Sequence, residues 1–300
     1  MNDNLIIYEV KGEEIGKKLN DYLREVQRLS GRFVRTSVRE GRVKVNNKPA
    51  RLSSKVVSGD KITIKLNKKE EQNIKPEKMD LDIVYEDSDV IVVNKQPGMV
   101  VHPTKSYQEG TLSNGLLYYF REKEENCIVR LVSRLDRDTS GLIIVAKNQF
   151  SHMALARDMQ TIGFEKSYLA IVHENLKENC GTIDLPIYRN DDDGIKRVVD
   201  ERGQKSVTHF NVVESFKEAD LVKLTLETGR THQIRVHLSH LGHPLFGDSL
   251  YGKDEDTYIK RQALHAYRLV FPHPRDGRKI ELESDLPEDM KELVSKLKRS

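Results

Sequence analysis

The chain has 300 residues, 37% hydrophobic and 32% charged, with no Trp, two Cys and a formal net charge of +3. That is longer than one small module at ~100–200 residues per domain, and no apolar run approaches the ~18 residues of a membrane helix. Two cysteines make neither a disulfide framework nor a zinc site. With no basic-then-apolar start, the expected compartment is a reducing cytoplasm and no membrane partner is expected.

Charge divides the chain. Residues 1–79 hold 19 Lys/Arg and 11 Asp/Glu, a balance of +8, against −5 for the remainder. Within 28–69 the balance is +11, from 13 basic and 2 acidic side chains. A compact basic block beside a mildly acidic body suggests a polyanion-binding module. Leu19, Tyr22, Leu23 and Val26 repeat at helical spacing and predict a helix near 16–27. Ser30 can cap a second helix and Gly41 can end it. On that helix Arg32, Arg35 and Arg39 share a face, and Arg42 and Lys44 follow. Val43 and Val45 alternate as a strand, Asn46-Asn47 supplies a turn, and Gly59-Asp60 a second turn before Ile62, Ile64 and Leu66. These arginines and Lys44 are candidate phosphate contacts. The run from Gly31 to Asn46, closed by residues 58–62, resembles the alpha-L RNA-binding module of ribosomal small-subunit protein four, which implies structured RNA as partner. The module is expected to span 1–66. Residues 67–79, rich in Lys, Glu and Asn, read as a linker, and residues 80–300 as the large domain.

Strands are predicted in the large domain over 81–86, 90–94, 142–146, 166–172, 207–213, 221–226, 265–270 and 278–283. Helices are predicted near 149–160 (capped by Asn148), 231–241 and 287–298 (with Pro287 in its first turn). Strands outnumber helices without alternating with them, so the expected class is α+β with a mixed, largely antiparallel sheet. No phosphate-binding glycine loop, dinucleotide fingerprint or GxSxG elbow is present. His232, His237, His240 and His243 lack the spacing and partners of a metal site. No cofactor or metal is expected.

Three segments carry candidate chemistry. Residues 133–142 form a charged loop between apolar strands, a place where reactive groups concentrate. Tyr168 sits at the start of a strand. Arg235 lies in the first turns of the 231–241 helix, where a buried guanidinium needs a carboxylate, and Asp136 is available. Together the Arg134-Leu135-Asp136 to Leu142 run, the 229–235 and 242–248 segments, 94–98, 101–103 and 263–266 resemble the RluA-type family of RNA pseudouridine synthases. Ser133 departs from the His that many members carry before the signature. A monomer is the expectation. The resemblance implies isomerisation of uridine to pseudouridine in structured RNA, with ribosomal RNA the first choice of partner and transfer RNA the second. It makes Asp136 the essential carboxylate and Arg235 its charge-assisted, forked partner. Tyr168 becomes the ring stacked on uracil, and Arg134 the side chain that fills the vacated place in the RNA stack.

Overall fold

The computed structural model describes residues 4–66, 72–159, 161, 163–189, 194–253 and 258–299. Near the N-terminus, β1 (Leu5–Glu9), β2 (Val43–Val45), β3 (Lys48–Pro49) and β4 (Lys61–Lys65) form a four-stranded sheet in the order β1-β4-β2-β3. Asn46 and Asn47 both take left-handed φ, at 49° and 65°, the conformation that a tight turn between β2 and β3 requires. The helix predicted over 16–27 is shorter and widens along its length: α1 (Leu19–Asp21) runs into a π-helical turn over Tyr22–Val26. α2 (Gly31–Arg39) starts where the Ser30 hydroxyl accepts from the Phe33 amide, a side-chain cap. The strand β1 was not predicted. Its register rests on pairing with β4, Tyr8 opposite Ile62, far along the chain.

The large sheet has ten strands. Its path runs β10 (Cys180–Asp184), β13 (Val207–Ser215), β14 (Ala219–Leu226), β9 (Glu165–His173), β15 (Leu264–Pro272), β8 (Ser140–Ala146), β6 (Val90–Lys95), β5 (Ile83–Glu86). β16 (Lys279–Glu283) pairs with β15, and β7 (Arg130–Leu131) with β8. Every pairing is antiparallel except β8 with β15, so the class is α+β with a mixed sheet. β6 and β8 read as unbroken apolar runs because both faces are covered: Val90, Val92, Leu142 and Ile144 point into one core, and Ile91, Val93, Ile143 and Val145 into another. The second core is closed by α3 (Leu112–Glu122), a helix absent from the sequence reading, which starts at a capping box of Thr111 and Asn114. α4 (Gln149–Asp158), α5 (Gln233–His240) and α6 (Glu288–Leu297) match the predicted helices. The Asn148 side chain caps α4 by accepting from the Ser151 amide. A hairpin of β11 (Ile187–Arg189) and β12 (Arg197–Val199) stands apart from the sheet.

The linker reading needs correction. Residues 67–71 lie outside the described set, but 72–79 are fastened to the large sheet. Gln72 exchanges two hydrogen bonds with the Val129 backbone, and Asn114 donates to the Lys75 carbonyl while accepting the Glu77 amide on its own carbonyl. The charged composition conceals Ile74, which packs into the α3 core. The N-terminal sheet is also fastened to α4 and to the turn between β15 and β16. Phe150 of α4 belongs to the core under the N-terminal sheet and Met153 packs against it. Arg275 donates to the Leu5 carbonyl at 2.7 Å while pairing with Asp89. No helix among the described residues is long and apolar enough to cross a membrane.

Candidate active site

The charged loop of residues 133–139 leaves β7 and re-enters the sheet at β8. Gly141, with φ +110°, is forced by the close parallel approach of β15: a Cβ there would lie 2.3 Å from the Ala266 carbonyl oxygen. Three side chains then hold consecutive loop residues. The fully buried Lys95 ammonium donates to the Arg137 carbonyl at 2.8 Å and to the carbonyls of Gln96 and Met99. Arg261 donates to the Asp138 carbonyl at 3.0 Å, its own fork fixed by Asp289 of α6. Gln262 reaches the Thr139 hydroxyl. The Thr139 amide bonds back to the Asp136 carbonyl. Asp136 is thereby presented from a braced turn.

Asp136 faces a cavity of about 300 Å³ that is also lined by Arg134, Tyr168, His232, Arg235 and Leu264. That volume is at the lower end of the ~300–1,000 Å³ of small-molecule sites. Arg235 donates from Nη1 to Asp136 Oδ2 at 3.0 Å. The forked pair expected with Asp136 is instead made with Asp248, from Nε and Nη2, both at 2.7 Å. Asp248 is fully buried and also accepts from the amides of Leu250 and Tyr251, so it has no freedom to serve substrate. Despite burial, these two carboxylates hold the Arg235 guanidinium well above its ordinary pKa. Its cation lies 5.1 Å from the centre of the Tyr251 ring, a cation–π distance.

His232 enters α5 with a left-handed φ of 57°, which turns its ring toward the cavity. Its Nδ1 is 3.0 Å from the Tyr251 hydroxyl and its Nε2 is 3.9 Å from Asp136 Oδ1. Burial lowers its pKa, favouring the neutral imidazole. Tyr168, on β9, is buried at the cavity floor; desolvation first and the Asp136 charge second push its phenol well above 10, so it stays protonated. His237, by contrast, is buried between Thr208 and the Leu185 carbonyl and supports packing.

The candidate RNA contacts divide. Arg32, Arg35 and Arg39 are exposed on α2 and Lys44 is exposed on β2. Arg42 is not: its side chain is 9% exposed, it donates to the Lys65 carbonyl and pairs with Glu40, and it lies 5.7 Å from the centre of the Phe33 ring. Alternation would set it on the exposed face with Lys44, but Glu40, the Lys65 carbonyl and the Phe33 ring draw its guanidinium inward, and it braces the small sheet. Lys95, Arg261 and Asp248 went unrecognised as site residues, although Asn94-Lys95 and Gly247-Asp248 stand in segments that carried the resemblance. Among the described residues, Asp87, Asp89 and His273 place potential metal-ligand atoms together. Arg275, Asn148 and Ser151 already occupy the Asp89 oxygens, and a guanidinium at 2.7 Å opposes a cation there.

Residues 89–240 match the RNA pseudouridylate synthase family model. The chain belongs to the RluA-type family of RNA pseudouridine synthases. It is 42% identical to an uncharacterised RNA pseudouridine synthase, YlyB, of Bacillus subtilis, over 97% of this chain and 96% of that one. It is 36% identical to ribosomal large subunit pseudouridine synthase D of Haemophilus influenzae, over 97% and 94%. Human RNA pseudouridylate synthase domain containing 4 superposes with a TM-score of 0.59 at 26% identity, covering 72% of the synthase and 92% of that chain.

Proposed function

We propose that the synthase converts uridines of large-subunit ribosomal RNA to pseudouridine with Asp136 as the reacting carboxylate. The observation that carries this is the hydrogen bond from Arg235 to Asp136 Oδ2 in a residue that lines the cavity: it anchors one oxygen, while Oδ1 stands 3.9 Å from His232 Nε2. The reaction breaks the bond from ribose to the base nitrogen, turns the uracil, and joins its carbon 5 to the ribose, with loss of the carbon 5 hydrogen. Two routes are open to Asp136, attack on the ribose or base and proton abstraction at the ribose 2′ carbon. Both need a carboxylate in a water-poor pocket. Tyr168 offers a ring for the uracil to stack on and a protonated phenol near carbon 5. Arg134, exposed at the cavity mouth, suits the space left in the RNA stack. Extraction of the base costs a few kcal/mol, and the basic residues 1–66 offset it through phosphate contacts elsewhere on the RNA. The ribosomal substrate rests on the names of the relatives.

Release of tritium to water from RNA labelled at uracil carbon 5 tests the reaction. Label leaving on free uracil would mean glycosidic cleavage alone, and intact uridine with no release would mean a binding protein.

A further inference from the structure

The Tyr251 hydroxyl joins the β11–β12 hairpin to the start of α5. The Arg197 amide of β12 donates to it at 2.8 Å, and His232 Nδ1 lies 3.0 Å away. The His232 and Tyr251 rings meet edge-on, with their centres 5.7 Å apart. We propose that Tyr251 keeps the His232 proton on Nε2, and that the N–H so fixed positions the Oδ1 oxygen of Asp136. The tautomer follows from the hydrogen bonds alone; the use of that N–H rests on Asp136 being the reacting carboxylate.

A neutral imidazole carries one ring proton, and the partner of one nitrogen decides which nitrogen holds it. The phenol oxygen already accepts the Arg197 amide, so what it has left to give is its own hydrogen. Among the described residues, the acceptor within reach of that hydrogen is His232 Nδ1. Nδ1 therefore presents its lone pair, and the proton sits on Nε2. The far side of the ring gives the same answer independently. Nε2 lies 3.9 Å from Asp136 Oδ1; a lone pair there would face an anion, whereas an N–H dipole attracts it. Burial keeps the ring neutral and the Tyr251 phenol protonated, so the phenol stays a donor. At 3.9 Å the contact is longer than the ~2.7–3.2 Å of a formed hydrogen bond. It acts as an oriented dipole, in a site whose burial strengthens such forces. His232 and Arg235 stand three residues apart at the start of α5, a spacing that sets side chains on one face. Arg235 binds Oδ2 and His232 addresses Oδ1, so both oxygens of the carboxylate meet a donor from one turn. The left-handed φ of 57° at His232 is a conformation that a residue with a Cβ holds where its surroundings fix it, and Tyr251 supplies a fixing contact.

The test uses the full chain with isotope-labelled histidine ring nitrogens. Long-range proton–nitrogen NMR at neutral pH separates a protonated ring nitrogen from a bare one, and the signals that vanish in His232→Gln belong to His232. Wild type should show Nε2 protonated and Nδ1 bare. Tyr251→Phe keeps the ring beneath Arg235 and loses the hydroxyl, so the two signals should move toward each other as the tautomers mix. In tritium release, kcat should fall about tenfold, the low end for a hydrogen bond to a charged group, with KM unchanged. A glutamine amide carries its N–H whatever Tyr251 does, so Tyr251→Phe should cost little further in the His232→Gln background. Wild-type Nδ1 bearing the proton would overturn the proposal, as would Tyr251→Phe with unmoved signals or unchanged kcat. A loss in Tyr251→Phe through melting and KM alone would make the hydroxyl a packing group and overturn it too. If Tyr251→Phe does not fold, the wild-type signals and the turnover of His232→Gln against His232→Leu decide: the glutamine variant should be the faster, and equal rates overturn the role. No tritium release by wild type itself would sink the reaction assignment, while the ring signals still decide the tautomer.

Discussion

Arg235 gives its planar fork to Asp248 and only its remaining Nη1 to Asp136. The buried pair fixes the cation, and the cation then fixes the cavity carboxylate with one charge-assisted bond. Arg235→Lys supplies no planar fork, so it cannot satisfy both carboxylates. Breaking a buried pair costs about 3–5 kcal/mol, and the variant should melt lower and release tritium at least tenfold more slowly. Asp248→Asn should show the same joint loss although it never reaches the cavity. Either variant melting and turning over like wild type would refute the relay.

Lys95 makes a pH prediction. Burial pushes its ammonium down to about 7, below the ~10.4 of an unfolded lysine. Under pH 7 both states carry the proton and the buried charge lowers stability. Between about pH 7 and 10 the unfolded chain holds the extra proton, so the stability owed to this group rises with pH. Urea midpoints at pH 7 and 9.5 should therefore move upward more in wild type than in Lys95→Met. Equal movement would show that Lys95 does not titrate in this window. Its bond to the Arg137 carbonyl also predicts that Lys95→Met lowers turnover, because the loop carrying Asp136 loses a brace.

Local signals were readable from the chain alone. Ser30 and Asn148 cap their helices through an amide three residues on, a reach that sequence displays. The Asp136 loop was readable because its residues are contiguous. What escaped depends on distant partners. Arg261 acts on a carbonyl 123 residues away and Lys95 on one 42 away, and β1 exists only against β4. The fork of Arg235 was assigned to Asp136 because composition shows which acids are available, not which one burial has already claimed. Arg42 followed the arginine series in sequence, while the Lys65 carbonyl, 23 residues away, and the Phe33 ring drew it inward.

Residues 72–79 give a truncation test. A chain beginning at residue 72 keeps the Gln72–Val129 exchange, the Asn114 contacts and Ile74; one beginning at residue 80 loses them all. Net hydrogen bonds are worth ~1 kcal/mol each, and 1 kcal/mol moves melting by ~2–4 °C in a domain of this size. With four such bonds lost, the shorter chain should melt about 8–16 °C lower by calorimetry. Both truncations uncover Phe150 and Met153, so both should gain solubility from Phe150→Ser, whereas the full chain should lose stability from it. Identical melting of the two truncated chains would return 72–79 to the status of a tether.

The decisive variant is Asp136→Asn. Asparagine keeps the shape and can still meet Arg235, but it offers no anion for attack or proton abstraction. The loop is held through the carbonyls of Arg137 and Asp138 and the Thr139 hydroxyl, none of which the change touches. The variant should fold, bind RNA with near-native affinity and release no tritium. Asp138 differs in kind: its carboxylate is engaged by the neighbouring Arg137 guanidinium at the surface, so Asp138→Asn should keep measurable turnover. Wild-type tritium release by Asp136→Asn would exclude this carboxylate from the reaction. Loss confined to Asp138→Asn would move the reacting group two residues along the loop, and out of the cavity that Tyr168 and Arg235 line.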